Sequence, residues 1–405
     1  MALVQPPRKA LGVSVPIVTV AIPVHDTVEY VAECLESVLA QTLRELEVVC
    51  VDDGSTDGSL EVLERYAARD GRVSVIRRHV QDRGPGAARN LVIERATGRY
   101  IAFIDSDDVI RPTMLESLVA AAEATGADVT MCMLRPFDAD GEHHTACTYD
   151  QVIPNHLDDR AFSWRDLGED VFRLRFASCN KVYRREFLRQ RDIRYGEDGY
   201  YEDMIFTFRA LLEASALGFV RAPLYLNRKE RAEATTFVQG DRAMDALEPL
   251  SALQRLLEGE PAYRSLVPAF WAFRYRKLCT YLVQNDIDHI AGFYDELRRV
   301  ASHVDLRDSS LLTEEEDEVR RRIVDNDVWE FLVWYVWYLD AGHLRTARRL
   351  AKARAQRVEF RDEVRELRAE NRRLTSQLAS RHVRSRIRRM VGPRGTALLR
   401  RFRDG

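Results

Sequence analysis

Between residues 17 and 133 short apolar runs alternate with longer stretches of helical period, and few folds accept that pattern. Ile17–Val24, Leu46–Val51, Val73–Ile76, Tyr100–Ile104 and Val129–Met133 have the length and branched, apolar character of buried strands. The segments between them repeat apolar residues at helical spacing, as Val31, Leu35, Val38 and Leu39 do in the first. Strands that alternate with amphipathic helices predict an α/β domain, a mostly parallel sheet with helices on both faces. In such sheets ligands bind beyond the carboxyl ends of the strands.

Three acidic or glycine-rich segments fall at those ends. Asp105-Ser106-Asp107-Asp108 directly follows the fourth strand. Carboxylates so crowded at the end of a buried strand repel one another, and a cation relieves them. Oxygen ligands suit Mg²⁺ or Mn²⁺, which leave positions open for phosphate oxygens. Asp105 and Asp107 are the candidate metal pair, and Asp108 also suits a cap for the helix that follows Pro112. Asp52-Asp53-Gly54-Ser55-Thr56-Asp57 follows the second strand. A carboxylate there can accept from a base N–H or a ribose hydroxyl, but the segment equally suits a turn and a helix cap at Asp57 or Ser59. Arg83-Gly84-Pro85-Gly86-Ala87-Ala88-Arg89-Asn90 opens a helix. Its small residues and free N–H groups suit a phosphate, or merely a tight connection. Further on, Glu202-Asp203 sits among Tyr200, Tyr201, Met204, Ile205 and Phe206. A partly buried acid there fits a general base, or a helix-start acid favoured by the helix dipole.

Taken in order, these segments resemble the family 2 glycosyltransferases of the GT-A fold. The resemblance covers residues 16 to 237 and rests on Ile22-Pro23-Val24-His25-Asp26, Val51 to Asp57, Gly86 to Asn90, Phe103 to Asp108, Asn180-Lys181-Val182-Tyr183 and Tyr201-Glu202-Asp203. It implies an inverting enzyme that moves a sugar from a UDP-sugar to a hydroxyl, with Mn²⁺ or Mg²⁺ as cofactor. Pro23 and His25 would line the base pocket, Asp53 would bond the base, and Arg89 would stand near the nucleotide. Asp105 and Asp107 would hold the metal and diphosphate, with Asp203 as the base that deprotonates the acceptor. Asn180, Lys181, Glu202 and Arg228 would be acceptor-side or lid elements. Relatives of this shape build bacterial surface glycans or teichoic acids, which implies a glycan, polyol-phosphate or lipid-linked acceptor.

The remaining features bound this reading. A net charge of -3 gives no global case for nucleic-acid binding. Scattered cysteines without a C-x-x-C pair suit a reducing compartment. The most apolar window, Val328–Leu339, is too short to span a bilayer, and the Q-x-x-R-W of processive membrane synthases is absent. A P-loop is excluded for want of G-K-[ST]. A dinucleotide-binding fold would need its glycines after the first strand. A sugar nucleotidyltransferase and a non-catalytic scaffold remain as rival readings.

The expected organisation is a tail (1–14), the catalytic domain (15–240), a helical region (241–355), a short coil (356–380) and a basic amphipathic tail (381–405). Phe360, Val364, Leu367, Asn371, Leu374 and Leu378 step like a heptad seam about three heptads long, which suits either a coil that makes a homo-oligomer or a plain amphipathic helix folded onto the body. Arg384, Arg388, Arg389, Arg400 and Arg401 interleave with Ile387, Met390, Leu398 and Phe402, which suits an anionic membrane surface. The expected location is the cytoplasm, peripheral on the inner face of the membrane.

Overall fold

A computed structural model of the chain describes residues 15–78, 84–138, 141–142, 152–196, 201–229, 247–284, 287–303, 312–326 and 330–331. The chain divides into two compact units, Met1–Trp329 and Glu330–Gly405. Nearly all of the second unit, including the expected coil and basic tail, lies outside the described residues.

The first unit is built as the periodicity requires. Strands β1 (Val18–Val24), β2 (Leu46–Asp53), β3 (Val73–Arg78) and β4 (Tyr100–Phe103) alternate with helices α1 (Val31–Leu39), α2 (Ser59–Arg69) and α3 (Gly84–Arg95). These strands are parallel, with β1 between β2 and β4 and β3 outside β2. Strand β1 is buried along its length apart from the half-buried Pro23, as a strand covered on both faces must be. Pro23 costs no ladder bond, because pairing with β4 has already ended at Ala21 opposite Phe103. Valines, leucines and isoleucines of β1, α1 and α4 (Met114–Thr125) form the centre of the core.

Beyond β4 the sheet changes character. After the two-residue β5 (Val109–Ile110) and α4 comes β6 (Val129–Asp138), and β7 (Gly141–Glu142) pairs with its end. Then β8 (Lys181–Arg184), α6 (Arg185–Gln190), α7 (Glu202–Glu213) and β9 (Leu217–Arg228) follow a short α5 (Trp164–Leu167). Strand β8 is inserted between β4 and β6 and runs antiparallel to both. Strand β9 lies parallel to β6, and β5 pairs antiparallel with β9 at the edge. The order is β3-β2-β1-β4-β8-β6-β9-β5. A mostly parallel sheet agrees with the pattern; the antiparallel β8 and the strand at residues 134–138 do not follow from it.

The helical region contains α8 (Leu247–Gly259), α9 (Val267–Gln284), α10 (Ile287–His303) and α11 (Glu314–Asp325). It is packed onto the sheet domain through aromatic rings. Phe172, in a 3-10 segment at Gly168–Arg173, stacks on Phe273 of α9 at 5.6 Å, and Phe208 of α7 meets the same ring edge-on at 5.4 Å. No helix among the described residues is long and apolar enough to cross a membrane. No disulfide joins the described cysteines to one another.

Candidate active site

The loops at the carboxyl ends of β1, β2 and β4 are sewn to one another by short polar side chains. Asp26, held at φ 47°, accepts from the Thr56 N–H at 2.7 Å, and Ser55 Oγ accepts from the Asp26 N–H at 3.2 Å. Asp57 accepts from the Val28 N–H at 2.8 Å, and Ser59 Oγ from the Thr27 N–H at 2.9 Å. Thr27 in turn donates to Ser106 at 3.1 Å, which ties the first two loops to the acidic one. Asp57 and Ser59, expected only to cap α2, therefore fix the relative position of two loops as well. At this edge His25 is exposed and donates through Nδ1 to the Asp53 carbonyl at 3.0 Å. Asp53 is nearly buried, with a long contact of 3.4 Å to Arg78, and its Oδ1 has no partner. Burial raises its carboxyl above the usual range, partly offset by Arg78. An unsatisfied buried acceptor of this kind suits the N–H of a ligand.

The acidic segment alternates. Asp105 and Asp107 are half-buried, whereas Ser106 and Asp108 are buried. Asp108 is fully engaged by the end of β9: it accepts from the Tyr225 hydroxyl at 2.6 Å, from Asn227 Nδ2 at 3.1 Å and from the Arg228 N–H at 2.8 Å. Burial, then Asp107 and Asp105, push its carboxyl well above the usual range. Asp108 thus pins β9 to the acidic loop; it does not cap α4. Arg228 completes the clasp, donating from Nε to the Asp107 carbonyl at 2.8 Å and pairing with Glu33 at 2.5 Å. Its guanidinium lies over the rings of Phe137 and Tyr30 at 4.4 and 5.0 Å. Arg228 was expected in a lid; it anchors the start of that segment, and residues 230–246 lie outside the described residues.

Asp105 and Asp107 carry the half-buried carboxylates of the segment, and Asp105 is paired with Arg89. A tighter group, Asp105, Asp108 and Cys179, brings its ligand atoms within 4.8 Å of one another. It suits a hard divalent cation poorly. Asp108 is saturated with donors, and burial raises the Cys179 thiol well above its ordinary value, so it stays protonated.

Arg89 joins the acidic loop to the second carboxylate pair. Its side chain is 7% exposed and reaches Asp105 at 2.7 Å with one arm and Glu202 at 2.5 Å with the other. Burial opposes its charge, yet Asp105 and Glu202 hold it well above its ordinary value. The ring of Tyr195 lies 5.3 Å away. The glycine-rich helix start, expected to face phosphate with Arg89 near the nucleotide, is thus an internal brace. A Cβ on Gly86 would stand 2.1 Å from the Gly196 carbonyl oxygen and 2.9 Å from Glu202. Asn90 bonds both backbone groups of Tyr195, at 3.0 and 2.9 Å. Tyr195 stacks on Phe206 of α7 at 3.8 Å. Three residues of one helical turn thereby set where α7 begins.

Asp203 stands at that helix start, after Tyr201, whose φ of 66° is a strained choice for a bulky residue. Asp203 is half-buried, and its carboxylate makes no hydrogen bond among the described residues. Burial, then the adjacent Glu202, raise its pKa to about 7, against the pull of Arg89. Glu202 is buried against Arg89 and not turned to an acceptor. Asn180 and Lys181 also depart from expectation. Both are 1% exposed. Lys181 donates to the carbonyls of Arg175 and Ala177 at 3.1 and 2.7 Å and to Asn180 at 2.7 Å, while Asn180 donates to the Cys132 carbonyl on β6. They hold the turn that leads into β8. One neighbour carried no motif. Lys277 of α9 feels the charges of Asp203 and Arg175, and burial lowers its pKa to about 8.

The family model described as glycosyl transferase family 2 matches residues 19–192. The chain is 36% identical over 213 residues to EpsH of Bacillus subtilis (strain 168), a glycosyltransferase by name, covering 52% of this chain and 60% of EpsH. It is 31% identical over 205 residues to a poly(ribitol-phosphate) beta-glucosyltransferase of Bacillus spizizenii, covering 49% of this chain and 30% of that protein. The chain spans less than two thirds of the length of either. Among solved structures, TarS 1–349 of S. aureus, in complex with UDP-GlcNAc, superposes with a TM-score of 0.62 at 20% identity over 80% of this chain and 92% of that one. That likeness is one of fold, the GT-A arrangement with a helical region after it.

Proposed function

We propose, on the premise that residues 19–192 form a domain of glycosyl transferase family 2, that the protein transfers a sugar from a UDP-sugar to a hydroxyl of a surface polysaccharide or teichoic acid. The observation that carries the reading is the two-armed bridge from Arg89 to Asp105 and Glu202, which ties the acidic loop to the helix start that bears Asp203.

Each step follows from groups of this chain. The donor's base packs at Pro23 and His25 and donates its ring N–H to the free Oδ1 of Asp53. Asp105 and Asp107 would hold Mn²⁺ or Mg²⁺, which would supply positive charge to the leaving diphosphate. Asp203 takes the proton of the acceptor hydroxyl as its oxygen attacks the anomeric carbon from the face opposite the departing UDP, so configuration inverts. A base whose pKa lies near 7 is matched to that task at neutral pH. Polyol phosphate as acceptor is supported by the name of the Bacillus spizizenii relative. UDP-GlcNAc is the first donor to test, since the structural relative was solved with it.

The same reading keeps residues 381–405 as a basic contact with anionic lipid at the inner membrane face. Deleting them should reduce sedimentation with anionic liposomes; equal sedimentation would exclude that contact. The transferase reading is tested by UDP release from UDP-GlcNAc and UDP-glucose with Mn²⁺. Release that stops on adding EDTA is expected, and absence of release across a panel of nucleotide sugars would defeat it.

A further inference from the structure

The helical region contributes a cation to the neighbourhood of the base. Lys277 lies on α9, half-buried, with its ammonium over the rings of Phe176 and Phe273 at 4.5 and 5.6 Å. Among the described residues no hydrogen bond or salt bridge holds it, and Asp203 is the carboxylate whose charge it feels. One turn on, Tyr281 packs against Tyr201 at 5.0 Å, so this face of α9 looks onto the start of α7, two residues before Asp203. Phe176 and Phe273 are themselves held against Phe208 of α7, at 6.4 and 5.4 Å, which fixes the platform under the ammonium. A partly desolvated ammonium resting on ring faces, with no carboxylate bonded to it among the described residues, has N–H groups to spare. An anion supplied from outside can accept from them.

We propose that Lys277 is an acceptor-binding residue whose ammonium receives a phosphate group of the acceptor, beside the hydroxyl that Asp203 deprotonates. The assignment rests on the transferase reading above and narrows it to anionic acceptors. It also gives the helical region a role: α9 supplies one wall of the acceptor site. The phosphate can come from a polyol-phosphate chain or from a lipid diphosphate, because both present the same oxygens. Other charged or titratable groups facing Lys277 are Asp203 and Tyr201 at the start of α7, Arg175 after the 3-10 segment, and Tyr281 on its own helix. Glu316 of α11, which also packs on α9, is engaged by Arg276 at 2.7 Å.

Calorimetry on the full chain loaded with UDP and Mn²⁺ tests the proposal with three probes: a ribitol-phosphate tetramer, a prenyl-diphosphate-linked N-acetylglucosamine, and a neutral trisaccharide. Wild type should prefer one of the phosphate probes to the neutral one, and which it prefers identifies the source. That preference should fall at least about tenfold in Lys277→Met and stay within about threefold in Lys277→Arg. A preference unchanged in Lys277→Met overturns the assignment. Should that variant fail to fold, wild type against Lys277→Arg decides. Affinity for the phosphate probe should weaken in wild type as pH rises through about 8 and hold in the arginine variant, and parallel curves overturn it. Metal-dependent UDP release by wild type, measured alongside, separates failure of this assignment from failure of the transferase reading.

Discussion

At the scale of single residues the site is governed by how charge is shared. Asp203 is raised to about 7 by burial and by Glu202. As the proposed base it would act only when ionised, so kcat/KM should climb as pH rises through about 7 and level off above it; a pH–rate profile flat from 5 to 9 would remove Asp203 from the rate equation. Asp203→Asn should lower kcat by roughly 10²–10⁴-fold while UDP affinity, read by calorimetry, changes little. Arg89 answers to two carboxylates at once. Arg89→Met leaves Glu202 buried without its partner and should cost about 3–5 kcal/mol in denaturant unfolding. Lysine should not rescue it, since a single ammonium lacks the two-armed fork. The sequence made the acids legible, because crowded carboxylates at strand ends need an explanation. The role of Arg89 was not legible: a basic residue after small ones reads equally as a phosphate contact or an internal brace. Burial decides between them, and burial is a property of the folded chain. Lys277 was invisible for a related reason, since a lysine beside Arg274 and Arg276 in an otherwise apolar helix belongs to no pattern.

At the scale of elements, the parallel strands β1 to β4 and their helices follow from periodicity, to within a few residues. The rest of the sheet did not. Strand β8 is four residues long and carries the polar Lys181 and Arg184, so alternation has too little length to register. Its antiparallel direction is set by what it pairs with, not by its own residues. The strand at residues 134–138 contains Arg135, Pro136 and Asp138 and exists because β9 pairs along it. The contact between α3 and α7 depends on one missing side chain. Gly86→Ala would press a methyl group into the Gly196 backbone. It should destabilise the fold by about 1–3 kcal/mol and shift α7 with Asp203, so activity should drop more than thermal stability alone explains. Measuring kcat at temperatures well below the melting point separates the two effects.

At the scale of the molecule, the aromatic contacts among Phe172, Phe208 and Phe273 join the helical region to the sheet domain. A chain ended after residue 329 keeps the whole first unit. It should unfold cooperatively and still release UDP, whereas one ended at residue 240 should expose those rings and aggregate; light scattering during a thermal melt checks both. The insertion of β8 between β4 and β6 has a consequence for synthesis on the ribosome. When residue 138 has emerged, β1 to β4 can associate, but β6 has neither of its main-sheet neighbours, β8 and β9, to pair with. The nascent sheet therefore carries an open edge at β4 until residues 181–184 arrive, and the second half closes only with residue 228. Over that interval the growing chain offers unpaired backbone to its surroundings, which makes it a client for chaperones that shield strand edges.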